Sequence, residues 1–225
     1  MKKFAVATGL VLSLIAGVTH AAYLPLEGRK LDGTPTATVN AADAIFAYDR
    51  NQNITWLRDW NYANTSGYAT TNANALNTAL GVRSTGQMGF TAANNWATEL
   101  TIGSFINWRL PTENIDSTGE FGSLIMHLYD ELGLTDWNSV FFNVVSQGNY
   151  WSSSDDPDNA ARAFNFVGGS FFISSSTKTN RFYAVAVQDG DVCTVNCEAN
   201  VPVPATAVLL GLGLIGIGAA RRKQN

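Results

Sequence analysis

The carboxyl-terminal end of the chain limits most strongly what the rest can fold into. Residues 205–220 form a Gly-rich apolar run that follows two prolines and precedes a basic triplet at 221–223. As a helix this run spans about 24 Å, which is marginal against the roughly 30 Å hydrocarbon core of a bilayer. The prolines force an extended entry, and the basic triplet acts as a cytoplasmic stop signal. We therefore predict a transmembrane helix within 201–225 and a globular domain before it.

The order of features in this segment resembles the PEP-CTERM sorting signal of Gram-negative bacteria. The proline pair Pro202 and Pro204, a short apolar helix and the terminal Arg221 and Arg222 follow one another as in that signal, although the usual Pro-Glu-Pro is Pro-Val-Pro here. The resemblance implies processing by an exosortase and a place in an exopolysaccharide or biofilm system. An ordinary membrane anchor is the alternative.

The amino-terminal end has the features of a secretory signal peptide. Lys2 and Lys3 form a positive region, residues 4–18 are apolar, and small residues surround Ala21. We predict a signal peptide over 1–21, with an uncleaved helix as the alternative. The domain at 22–200 is then exported through the inner membrane to the cell surface or extracellular matrix, anchored at least transiently.

The exported domain, residues 22–200, is acidic. The chain has 14 Lys and Arg and 18 Asp and Glu, and five of the basic residues but none of the acidic ones lie in the two terminal signals. The domain therefore carries about nine excess negative charges. Nucleic-acid binding needs a basic face, so this composition argues against a nucleic-acid partner.

Periodicity predicts an α+β fold. One helix carries apolar residues at Ala93, Trp96, Ala97 and Leu100, and a second begins with a capping box formed by Ser117 and Glu120. The strand-like segments are 44–48, 53–57, 140–145, 163–167, 170–173 and 182–187, with a hairpin turn at 168–169. We predict one compact domain of two helices and a mostly antiparallel sheet, with its core at about 44–192.

Five motifs resemble one family in their order along the chain. They are 53–59 (NITWLRD), 108–112 (WRLPT), 126–133 (MHLYDELG), 150–154 (YWSSS) and 183–191 (YAVAVQDGD). Together they resemble the C-terminal domain of the Legionella collagen-like adhesin, which implies adhesion and a homo-oligomer. The Arg-Leu-Pro-Thr string is also similar to that of formylglycine-generating enzymes, which implies a C-type-lectin-like fold by analogy. Gln188 departs from the Arg that the adhesin family carries.

We interpret the motif side chains as structural. Arg109 has five fixed donors that can bind carbonyls or a carboxylate, with ligand contact as the alternative. Cys193 and Cys197 predict a disulfide, because the chain is exported, with metal binding as the weaker alternative. The structural set is Trp108, Arg109, Pro111, Tyr150, Trp151 and Ser152.

Two segments are candidates for ligand binding. Asp155, Asp156, Asp158 and Asn159 place oxygen ligands in one predicted loop, where calcium is the candidate cofactor and a polar turn is the alternative. Trp60 and Tyr62 lie in a segment without periodicity, next to asparagines, and are candidates for stacking on a sugar. Burial in the core is the alternative for both.

The sequence offers little for catalysis. His127 is the only histidine of the exported domain, and we expect it at the surface of the second helix, beside Asp130 and Glu131. No nucleophile elbow, phosphate loop or zinc motif occurs. We predict a non-enzymatic protein that binds polysaccharide or mediates adhesion. The alternatives are a self-assembling or protein-binding surface module and an enzyme acting on matrix polymers.

Overall fold

The computed structural model describes residues 24–73, 81–114, 116, 118–131, 137–157, 159–167 and 170–197. The predicted signal peptide and the predicted C-terminal helix lie outside these ranges. Within them, no helix is long and apolar enough to cross a bilayer.

The described residues contain short strands, short helices and two large antiparallel sheets. The strands are β1 (Glu27–Arg29), β2 (Phe46–Asp49), β3 (Ile54–Leu57), β4 (Asn149–Asp156), β5 (Ala160–Val167), β6 (Ser170–Thr177) and β7 (Val187–Asp189). The helices are α1 (Tyr62–Thr65), α2 (Tyr68–Asn72), α3 (Phe90–Glu99) and α4 (Glu120–Met126), and α4 continues into a π-helical turn, His127–Glu131. A 3-10 turn covers Trp137–Ser139. The predicted α+β class is confirmed.

The strands form two sheets where the sequence predicted one. The first sheet has the order β1-β2-β3-β7 and the second the order β4-β5-β6. Every neighbouring pair is antiparallel, and β4 carries an irregularity between Trp151 and Asp155. Strands β5 and β6 pair up to Val167 and Ser170, so only residues 168–169 connect them, as the hairpin prediction required.

Neighbouring residues of one strand enter two different hydrophobic clusters. Phe46 of β2 and Leu57 of β3 belong to the first cluster, whereas Ala47 and Trp56 belong to the second. Successive side chains of a strand point to opposite faces, so the first sheet is covered on both sides. In the second sheet, Trp151 enters the first cluster and its neighbour Tyr150 the second. Among the described residues, both clusters are formed by side chains between Leu26 and Val192.

Three sequence predictions about elements were wrong. The segment 140–145 is not a strand: Phe142 makes a single bridge to Asp59, while Val140 and Phe141 are buried in the second cluster. The segment 182–187 is not one strand: Phe182 and Tyr183 make single bridges, and strand β7 begins only at Val187. The core begins before residue 44, because β1 pairs with β2 and buries Arg29. Strand β1 was not predicted because its sequence, Glu-Gly-Arg, has no apolar strand pattern.

Candidate functional site

Arg109 of the WRLPT motif connects three parts of the domain. Its Nη1 and Nη2 donate to the two carboxylate oxygens of Glu120 over 2.7 and 2.6 Å, and its Nε and Nη2 donate to Asp189. Nη1 also donates to the carbonyl of Leu110. Hydrogen bonds to Glu120 outweigh burial and, with Asp189, raise the pKa of Arg109. All five guanidinium donors are thus used inside the protein, which supports the structural interpretation.

Glu113 directly follows the same motif, and its side chain caps the amino-terminal end of α4. Its buried carboxylate accepts the backbone N–H groups of Gly119 and Gly122 over 3.1 and 2.7 Å, and that of Asn114 over 2.8 Å. The N–H groups of Gly119 and Gly122 are donors that a helix start leaves without intrahelical partners. Burial raises the pKa of Glu113 despite these hydrogen bonds.

The predicted capping box at α4 is wrong in its acidic member. Glu120 binds Arg109 and accepts the backbone N–H of Thr112 over 2.7 Å. Gly119 is the residue at the cap position. Ser117, the other member of the predicted box, lies outside the described residues.

The YWSSS motif also forms internal contacts. Trp151 donates from its indole to the carbonyl of Met88 over 2.8 Å, and the Ser152 hydroxyl donates to the carbonyl of Arg162 over 3.1 Å. The Tyr150 hydroxyl accepts the backbone N–H of Val145, and burial raises its pKa. Trp108, Pro111, Tyr150, Trp151 and Ser152 are all buried. These residues stabilise the fold and present no surface for a ligand.

His127 is buried, contrary to the prediction of a surface position. It lies in the π-helical turn after α4, where its Nδ1 is 4.0 Å from Oδ2 of the equally buried Asp49. Asp49 also accepts two backbone N–H groups and the side-chain amide of Gln52 from the β2–β3 turn. Burial acts to raise the pKa of Asp49, but its contacts with His127 and Gln52 hold it below the ordinary value. The pair joins this turn to the helix side of the domain.

The predicted sugar platform is wrong for Trp60. Its side chain is 0 % exposed and packs 4.9 Å, centroid to centroid, from Phe141 and 5.4 Å from Tyr150. Tyr62, at the start of α1, is half-buried against the first cluster. The segment around Trp60 and Tyr62 has no hydrophobic periodicity and was therefore predicted to be exposed. It is nevertheless buried or half-buried, because the chain here folds into the short helices α1 and α2 over the core.

The predicted calcium loop is in part a strand. Asp155 and Asp156 belong to β4, and each is paired with a cation: Asp155 with Lys178 at 2.8 Å and Asp156 with Arg162 at 3.3 Å. Asn159 lies in the following turn, whereas Asp158 lies outside the described residues. Across the described ranges, no three His, Cys, Asp or Glu side chains are grouped to hold a metal. Calcium binding at this turn stays a prediction.

The chain leaves the domain through a segment tied to β1, residues 191–197, which we call the exit segment. Arg29 of β1, 1 % exposed, binds both carboxylate oxygens of Asp191 over 2.9 and 2.7 Å and also contacts Glu27. The Thr194 hydroxyl donates to the carbonyl of Asp32 over 2.9 Å. Cys193 and Cys197 are joined by a disulfide, with Cα atoms 5.6 Å apart. The salt bridge and the Thr194 hydrogen bond therefore fix the exit segment to the domain, and the disulfide closes a ring within the segment.

A groove of about 620 Å³ opens beside the exit segment. Its lining combines apolar Leu31 and Ile45 with the ion pair of Lys30 and Asp43, whose charged atoms are 3.0 Å apart. Leu31 is 50 % exposed. Asp32, Gly103 and Ser104 complete the lining. Exposed charges around an apolar surface are a common arrangement for binding a small or extended ligand.

The segment 200–223, which follows the exit segment, matches a known family model. Residues 200–223 match the family model of the PEP-CTERM protein-sorting motif. This segment is a sorting signal. It implies an exosortase as processing partner and export with membrane-associated sorting to the cell surface. The signal begins within three residues of Cys197, so the disulfide-closed exit segment leads almost directly into it.

The family match covers the sorting signal and does not extend into the domain before it. No curated protein matches the chain significantly. No family model supports the resemblance to the collagen-like adhesin domain, which stays a prediction. The sequence also gave no sign of the buried ionic groups Glu113, Asp49 and Arg29. Their partners are backbone amides or residues far along the chain, such as Asp191 for Arg29, 162 positions away.

Proposed function

We propose that this chain is a non-enzymatic surface protein that binds extracellular polysaccharide after exosortase-dependent sorting. The sorting signal carries the proposal, because it sends the folded domain to the surface where such polymers occur. The groove beside the exit segment is the proposed binding site. Its exposed Leu31 suits the apolar face of a sugar ring, and Lys30, Asp43 and Ser104 suit its hydroxyls.

Non-enzymatic function is supported by the use of the polar motif residues within the fold. The N–H groups of Arg109 donate to Glu120, Asp189 and Leu110, and His127 lies buried beside Asp49. Neither Arg109 nor His127 is among the residues that line the groove. Binding, adhesion and matrix retention need no reacting group, so they suit this arrangement better than hydrolysis of a matrix polymer does.

The test is co-sedimentation of the 22–200 fragment with the exopolysaccharide of the producing strain, with and without calcium. We expect saturable binding, and about a tenfold loss of affinity, or ~1.4 kcal/mol, in a Leu31→Ser variant. Met126→Ser is the matched control, because Met126 is also exposed but lies on α4, away from the groove.

The outcomes separate the alternatives. Absence of saturable binding up to about 1 mM sites rejects the polysaccharide proposal. Binding that both variants retain rejects the groove as the site. Binding that a chelator abolishes assigns a role to calcium and directs attention to Asp155, Asp156 and Asn159 at the end of β4.

A further inference from the structure

Strand β6 is an open edge of the second sheet. It pairs with β5 along its whole length, from Ala160 opposite Thr177 to Val167 opposite Ser170. In the described part of the chain, no strand or bridge pairs with its other side. The N–H and C=O groups of alternate residues therefore point outward from this edge.

This edge lacks the features that usually prevent association of strands. The sequence of β6, SFFISSST, contains no charged residue and no proline, and its pairing with β5 is regular. Phe172 is 57 % exposed, and Ser174 and Ser175 are exposed as well. Long, uncharged edges of this kind are templates for the addition of another strand.

Charge indicates which partner fits the edge. The exported domain is strongly acidic, with nine basic residues against 18 acidic ones. Strand β6 differs from the domain as a whole because it has no charged side chain, and Lys178, directly after it, pairs with Asp155. Two copies of this acidic domain repel each other, and the repulsion is weakest where the two facing strands carry no charge.

We propose that β6 pairs with β6 of a second copy, in an antiparallel arrangement that joins two three-stranded sheets into one. A two-fold axis brings the same strand of each copy together, as in most homodimers. The pairing satisfies the outward backbone groups, covers Phe172 and places hydroxyl side chains opposite one another. No like charges on β6 oppose each other across the axis. At the cell surface, such a dimer presents two grooves and increases avidity for a repeating polymer.

The first test is sedimentation equilibrium of the 22–200 fragment without polysaccharide, since this fragment contains both core clusters. We expect a reversible dimer, and at least about a tenfold weaker dimer in the double variant Ser174→Lys/Ser175→Lys, since lysines on an edge oppose strand addition. The control is Thr91→Lys/Asn95→Lys, which adds the same charge on the exposed face of α3. A monomeric wild type up to about 1 mM overturns the proposal, and so does equal weakening in both variants.

A second measurement needs no substitution. Amide hydrogen exchange of the wild-type fragment should show alternate amides of 170–177 protected at high concentration and exchanging faster on dilution. Unchanged exchange in β6 across the monomer–dimer transition overturns the proposed interface, even if a dimer forms. Neither experiment contains polysaccharide, so a negative result for the dimer does not affect the proposed polysaccharide binding.

Discussion

At the scale of single residues, the buried ionic groups determine how the WRLPT motif holds the domain together. Arg109 binds Glu120 at the start of α4 and Asp189 in β7, while Glu113 accepts the first free amides of α4. The sequence predicted Arg109 as a strut but gave no partner for it. Glu113 stayed unnoticed because its ligands are backbone N–H groups, which have no sequence signature.

Replacing Glu113 by glutamine tests this carboxylate. A glutamine side chain has one acceptor oxygen where glutamate has two, so a buried N–H of Gly119 or Gly122 loses its hydrogen-bond partner. We expect this loss to lower the free energy of unfolding by about 1–3 kcal/mol. Urea unfolding measures the difference. Glu99→Gln on the exposed end of α3 is the control, and we expect it to stay within about 0.5 kcal/mol of wild type.

The pH dependence of this difference has a definite sign. Burial raises the pKa of Glu113 above its ordinary 4.5, so the folded protein binds more protons than the unfolded chain in the interval above that value. The stability that this group contributes is therefore complete below the ordinary pKa and declines as pH rises. The gap between wild type and Glu113→Gln should shrink from about pH 4 towards pH 8; a gap that widens contradicts the assignment.

Arg109→Lys tests the strut. Lysine has three donors and no planar fork, so it cannot bind Glu120 in the bidentate way and reach Asp189 and Leu110 as well. We expect a loss of about 1–3 kcal/mol in unfolding free energy, with Arg83→Lys, at an exposed position, as the neutral control. Unchanged stability together with weaker polysaccharide binding would instead support ligand contact by Arg109.

At the scale of elements, the sequence predicted best where periodicity alone determines structure. Strands β2, β3, β5 and β6 and helix α3 lie close to the predicted positions, because β-branched and aromatic residues mark the strands and apolar residues recur with the helical period in α3. The failures share a cause. Val140 and Phe141 are buried although segment 140–145 forms no strand, and β1 forms a strand with no apolar pattern. Burial of Trp60 likewise depends on contacts with distant residues.

The disulfide of the exit segment is the feature whose removal should have a local effect. A disulfide that closes so short a ring contributes at most about 2 kcal/mol by chain entropy, and Cys193 and Cys197 belong to neither core cluster. We expect Cys193→Ser/Cys197→Ser to change the unfolding temperature little, while limited proteolysis cuts faster within 191–197. Val195→Ala, which keeps the ring closed, is the control; equal cleavage rates in both variants would contradict local ordering by the disulfide.

At the scale of the whole molecule, a folded domain precedes the sorting signal along the chain. Arg221 and Arg222 end that signal, and their replacement by glutamine should block processing in a host that contains the exosortase. Mass spectrometry of the carboxyl terminus, combined with cell fractionation, measures the unprocessed chain. A strain without the exosortase is the matched control. Normal processing in that strain would contradict the assigned partner.

The salt bridge of Arg29 with Asp191 also has a mechanical consequence. A polymer bound in the groove and a membrane holding residues 200–223 would pull the domain in opposite directions. Because β1 and the exit segment are joined near the groove, this force crosses only a short part of the domain. The resistance of the domain to shear from the surrounding matrix should therefore depend on the Arg29–Asp191 ion pair, the Thr194 hydrogen bond and the packing of Val192, and single-molecule pulling from residue 197 can measure it.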